Sequence, residues 1–151
     1  MTPLSESLLH QVAGQVLEEC AFLFTQPGPE PEVWPEPVTC ATLTFAGPRT
    51  GKVELYAAHG LAMAIAADML GLEADDPEAH RLADNSIAEI ANVITGALVA
   101  ELFGTECLCE LGIPVVAHEA PGPRSESSFA LTLIDLEGRP LDLRVSLEPS
   151  L

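Results

Sequence analysis

Positive charge is scarce in this chain. Of 151 residues, six are Lys or Arg and 23 are Asp or Glu, giving a formal net charge of −17. A surface of that sign repels phosphate backbones and anionic lipid, so neither nucleic acid nor a membrane surface is an expected partner. It attracts a partner with an exposed Lys or Arg, although solubility accounts for most of the charges. A secretory signal is also missing, because "MTPLSESLLH" has no basic start and no long apolar run. No stretch reads as long and apolar enough to span a bilayer, since Asp68, Glu89 and Glu101 interrupt the best candidates. The expectation is a soluble, cytoplasmic chain.

Reactive constellations are equally sparse. The four cysteines, Cys20, Cys40, Cys107 and Cys109, do not space as a disulfide framework. On a strand, Cys107 and Cys109 would face the same way and form half a metal site. No second half is spaced to complete it, so small buried residues are expected instead. His10, His59, His80 and His118 are scattered and read as ordinary surface or turn histidines. No Ser-His-Asp or Cys-His arrangement stands out. "AGPRTGK" has the look of a phosphate-binding loop. It is one residue short, has Val53 where Ser or Thr is needed, and leads into a strand, which excludes a nucleotide site.

What is present suits one domain over residues 1–151, with 48% apolar and 19% charged residues. Residues 5 to 24 predict a helix capped by Ser5, with a stripe of Leu8, Leu9, Val12, Val16, Cys20 and Leu23. The Pro-rich "QPGPEPEVWPEP" can be neither helix nor central strand, and Trp34 is expected to pin it to the body. "TLTF" and "KVELY" alternate as a hairpin about "AGPRTGK". "GLAMAIAADMLG" predicts an apolar helix ending at Gly71. Asp76 as N-cap and Pro77 open a helix that runs to Phe103, about 40 Å at 1.5 Å per residue, with Gly104 as its stop. "CLCEL", "PVVAHE", "SFALTLI" and "LDLRVSL" are strand candidates, with "EAPGPRSES" a surface loop and "DLEGRP" a turn. In the last strand, Leu141, Leu143, Val145 and Leu147 share one face and Asp142, Arg144 and Ser146 the other. The order predicts an α+β fold, a single antiparallel-rich sheet with packed helices.

The long helix carries an anomaly. "NSIAEIANVITGAL" contains both asparagines of the chain, Asn85 and Asn92. A side-chain amide in mid-helix loses propensity relative to Ala or Leu. Asn85, Glu89, Asn92 and Gly96 fall within an arc of about 60°. Ile87, Ile90, Ile94, Ala97 and Leu98 fall opposite. The apolar side therefore faces the core and the polar stripe faces outward. Gly96 removes bulk one turn beyond Asn92, so another molecule can approach closely. An Asn amide can orient a water but is neither nucleophile nor base, and a Glu can pair with a cation. One carboxylate and one amide are too few ligands for a firm metal site.

The run Glu89-Ile90-Ala91-Asn92 with Gly96 resembles the Glu-x-x-Asn signature of the CheC/CheX family of chemotaxis phosphatases. The order of elements, from the N-terminal helix through "FAGPRTGKVELYAA" and the signature helix to "GIPVV", is similar over nearly the whole chain. The single signature is similar to the CheX branch. The resemblance implies a CheX-like domain that dephosphorylates a CheY-like receiver domain phosphorylated on aspartate. It implies Asn92 as the residue that aligns a water, and Glu89 as the partner of the receiver's lysine. Asn85 and Gly96 belong to the docking edge. It implies no cofactor of its own, with Mg²⁺ on the receiver, and a homodimer. Two positions depart from the family pattern: Asn85 stands where Asp or Ser is usual, and Pro114 comes one residue early. The alternative is a catalytically silent CheX-like module that binds a receiver or acts as an adaptor.

Overall fold

The computed structural model describes residues 2–35 and 37–148. Its order is α1 (Glu6–Ala21), β1 (Thr25–Pro27), β2 (Val38–Ala46), β3 (Thr50–Ala58), α2 (His59–Leu70), α3 (Pro77–Arg81), α4 (Ala83–Phe103), β4 (Glu110–Leu111), β5 (Val115–Ala117), β6 (Ser128–Asp135) and β7 (Pro140–Leu147). The strands form one antiparallel sheet in the order β1-β6-β7-β3-β2-β4, with β5 also paired to β2. The fold is the expected α+β class.

Alternation along the strands sets the two faces. Leu43, Phe45, Val53, Leu55, Leu141, Leu143 and Val145 meet α1, α2 and α4 in one buried core. The helices turn their apolar stripes to the same core, Leu9, Val12, Ala13 and Leu17 from α1 and Ile87, Ile90, Ile94 and Leu98 from α4. On the opposite face Trp34 packs with Val38, Cys40 and Tyr56, so the Pro-rich loop is pinned to the sheet as expected. Its one strand, β1, lies at a sheet edge, where Pro27 costs no ladder bond on the open side.

The helix ends follow local chemistry. The Ser5 hydroxyl accepts from the Leu8 N–H at 3.1 Å. Helix α1 stops at Ala21, three residues before the expected end, because Phe22 takes φ 52 and Leu23 donates its N–H back to the Leu17 carbonyl. That reversal turns Leu23 into the core. Asp76 accepts from the Glu78 N–H at 2.9 Å, and Pro77 opens α3.

Three expectations are corrected. The helix expected from Pro77 to Phe103 is divided at Leu82, whose φ −101 and ψ 6 lie in the bridge region. No breaker residue causes this. Ala79 of α3 packs on Ala66 and Ala67 of α2, whereas Ala83 and Ile87 of α4 enter the main core. One straight cylinder does not serve both contacts. Second, the strand expected at Cys107 begins only at Glu110; Cys109 is half-buried, but Cys107 is exposed. Third, among the described residues α4 alone is long and apolar enough to cross a membrane by length and composition, despite Glu89 and Glu101. Its apolar side is occupied by α1, α2, β2 and β3.

The outer face of β7 also differs from a solvated one. Asp142 is fully buried and Arg144 nearly so. The Asp142 carboxylate accepts from Arg144 Nε at 2.8 Å, Arg124 Nη2 at 2.7 Å and the Thr132 hydroxyl at 2.7 Å. Arg144 donates to the Gly122 carbonyl and pairs with Glu30, which also pairs with Arg124. The surface loop around Gly122 is thereby fastened over the sheet.

Candidate functional site

Helix α4 forms one wall of an open groove. Asn85, Ala88, Glu89 and Asn92 line it on the helix side, and Gly112, Ile113 and Pro114 line it on the other. Glu89 and Asn85 are exposed and Asn92 is half-buried. On the far side of α4, Ile87, Ile90, Ile94 and Leu98 are fully buried, which fixes the rotation of the helix and points the stripe outward. Thr95, on the buried side, satisfies its hydroxyl with the Ala91 carbonyl at 2.7 Å. Glu89 and Asn92 have no side-chain hydrogen bond or ion pair among the described residues; on this helix Asp84 is the carboxylate engaged, by His118 Nε2 at 2.9 Å.

The facing wall is held in place. The Gly112 N–H donates to the Thr44 carbonyl of β2 at 2.7 Å. A Cβ on Gly112 would meet Thr44 Oγ1 at 2.9 Å and the Thr44 backbone at 3.3 Å, so this close approach favours glycine. Pro114 then restricts the chain before β5 pairs with β2. Ile113 stands between these two fixed points.

The structure brings Asn85, Glu89 and Asn92 into one groove. Gly96 lies one turn further along, half-buried beside Leu111. A Cβ there would meet Leu111 Cδ1 at 3.9 Å, an ordinary contact, so internal packing does not require glycine at this position. Ala88, Gly112 and Ile113 were not singled out by sequence reasoning. The run "GIPVV" marked the segment but not its place against α4. The histidines are less scattered in space than along the chain. His59 Nε2 and His80 Nδ1 lie 3.0 Å apart, and His59 is held below the ordinary imidazole range by burial and then by His80. No group of three His, Cys, Asp or Glu side chains suited to a metal ion occurs among the described residues.

Residues 39–136 match the family described as chemotaxis phosphatase CheX. This chain belongs to that family. The matched span contains both walls of the groove. The fold of this CheX-family chain is similar to solved CheX proteins. A chemotaxis protein CheX from Desulfovibrio desulfuricans has TM-score 0.71 at 19% identity, covering 94% of this chain and 97% of that one. The CheX protein from Vibrio vulnificus has TM-score 0.73 at 17% identity, covering 93% and 97%. A CheX–CheY–BeF3–Mg²⁺ complex from Borrelia burgdorferi matches with TM-score 0.72 at 14% identity, covering 95% and 97%. No curated protein matches the chain.

Proposed function

We propose that this CheX-family chain dephosphorylates the aspartyl phosphate of a CheY-like receiver domain in chemotaxis or two-component signalling. One observation carries the reading: Glu89 and Asn92 share an open groove on a rigid helix, and neither is engaged by another described side chain. The buried polar side chains of Thr95 and Asp142, by contrast, are satisfied within the fold. The Borrelia complex of CheX with CheY lends support to a receiver as the partner.

In this reading the receiver enters the groove with its phosphorylated aspartate. Asn92 offers its amide to a water and holds it in line with the phosphorus–oxygen bond. Water oxygen bonds to phosphorus as the bond to the aspartate oxygen breaks. The products are inorganic phosphate and the free carboxylate. An acyl phosphate is already activated, so positioning supplies the main acceleration. Glu89 pairs with the receiver's lysine and sets the docking register. Mg²⁺ belongs to the receiver, and this chain contributes no cofactor.

The test follows phosphate loss from a panel of phosphorylated CheY-like receivers, with and without the protein. Accelerated loss with at least one receiver is expected. Binding of a beryllofluoride-loaded receiver without any acceleration would establish a silent receiver-binding module instead.

A further inference from the structure

We infer that Ile113, with Leu111 beside it, is an apolar seat for the receiver domain and sets much of its docking affinity. This rests on the phosphatase reading and adds a second half to the same site. Ile113 is 88% exposed although it lines the groove that holds Glu89 and Asn92. It is held out rather than loosely placed, because Gly112 is bonded to β2 and Pro114 stiffens the other side. Phe45 of β2 faces the helices, and its register partner Leu111 therefore does so too. Leu111 lies over Gly96, extending the apolar surface along the stripe. Ile113 and Asn92 line the same open groove, so a molecule filling it can touch both.

The occupant follows from the chemistry. Glu89 is solvated, and an ion pair at the rim of a contact contributes register and only part of the affinity. A net charge of −17 attracts an exposed Lys or Arg over distance, but salt screens that attraction. The rest of the affinity must then come from apolar burial near the polar pair, with the charged groups at its edge. Val115 provides an internal comparison. It is 67% exposed, but its register partner Thr42 lies on the sheet face away from the helices. The same residue class thus stands on both faces within three positions, and only Ile113 adjoins the groove.

The experiment titrates the full chain with CheY-like receivers loaded with Mg²⁺ and beryllofluoride, and follows dephosphorylation of the phosphorylated forms. Ile113→Ser should weaken binding about tenfold or more, the scale of exposing one buried Ile again. Its rate at saturating receiver should remain near wild type. Val115→Ser should bind as wild type does. Binding of Ile113→Ser within twofold of wild type overturns the seat while leaving the phosphatase reading intact. A changed oligomeric state with unchanged receiver binding assigns Ile113 to self-association and also overturns it. A wild-type chain that binds no receiver overturns both readings. Binding that is lost in Ile113→Ser, in a wild type that does not accelerate hydrolysis, supports the seat and removes only the phosphatase step.

Discussion

Glu89 and Asn92 stand one helical turn apart but have separable parts in the proposed reaction. Asn92→Ala removes the amide that holds water and leaves the docking surface almost unchanged. Dephosphorylation at saturating receiver should fall by at least about tenfold, with binding retained. Equal rates for wild type and variant would refute the water-positioning role. Glu89→Gln keeps shape and loses charge, so it should weaken receiver binding in equilibrium titrations with a smaller effect on the saturated rate. Gly96→Ala separates stability from docking. The space beside Leu111 accepts a methyl group, and Ala is favoured over Gly in mid-helix by about 0.5–1 kcal/mol. Urea unfolding should show that gain. Receiver binding should nevertheless weaken, because the added methyl lies on the approach side of the stripe.

At the scale of elements, two placements govern stability. β7 carries Asp142 beneath the Gly122 loop, where one carboxylate serves two guanidinium groups and a hydroxyl. Asp142→Ala leaves the buried Arg144 without its main counter-ion. A loss of about 3–5 kcal/mol is expected, read as a lower urea midpoint at unchanged slope. The junction of α2, α3 and α4 brings His59 and His80 together, with Asp84 and His118 near enough to act on His59. Burial lowers the folded-state pKa of His59 below its ordinary 6.5. The folded state therefore prefers the neutral ring. That contribution is fully present above 6.5 and is lost as pH falls from there through the lower folded-state pKa, because the unfolded chain takes up the proton more readily. The stability difference between wild type and His59→Gln, measured across this range, should fall on acidification. A pH-independent difference would show that His59 is not the responsible group.

For the whole molecule, sheet order restricts how two copies can meet. Strand β7 is interior and cannot extend the sheet, whereas β1 covers only the Leu133–Asp135 end of β6 and leaves the rest of that strand's edge open. The edges are β1, three residues long and ending in Pro27, and the β4–β5 side. We propose a homodimer that uses the β1–β6 side, away from the receiver seat, where main-chain pairing does not depend on charge. Charge repulsion opposes this association and is screened by salt. Light scattering should give twice the chain mass of 15.9 kDa, with dissociation reduced at higher ionic strength. A species of only the chain mass at micromolar concentration would count against it.

The sequence by itself determined the local chemistry. Ser5, Asp76, Pro77, Gly71 and Gly104 act at helix ends as their side chains or backbone freedom dictate. The period of Ile87, Ile90, Ile94 and Leu98 placed Glu89 and Asn92 on the opposite side, because a helix has one geometry wherever it occurs. The hairpin of β2 and β3 was legible for the same reason, since alternation has a fixed period of two. Tertiary structure decided what depends on residues distant in the chain. It broke the helix at Leu82, where α3 must reach α2, and it buried Asp142 and Arg144 under a loop about 20 residues before them. It also set Ile113 opposite Asn92. That wall exists only because β4 and β5 both pair with β2, whose partners lie some 70 residues away along the chain. No local propensity encodes a pairing over that distance; it is chosen by the core that β2 and α4 bury together.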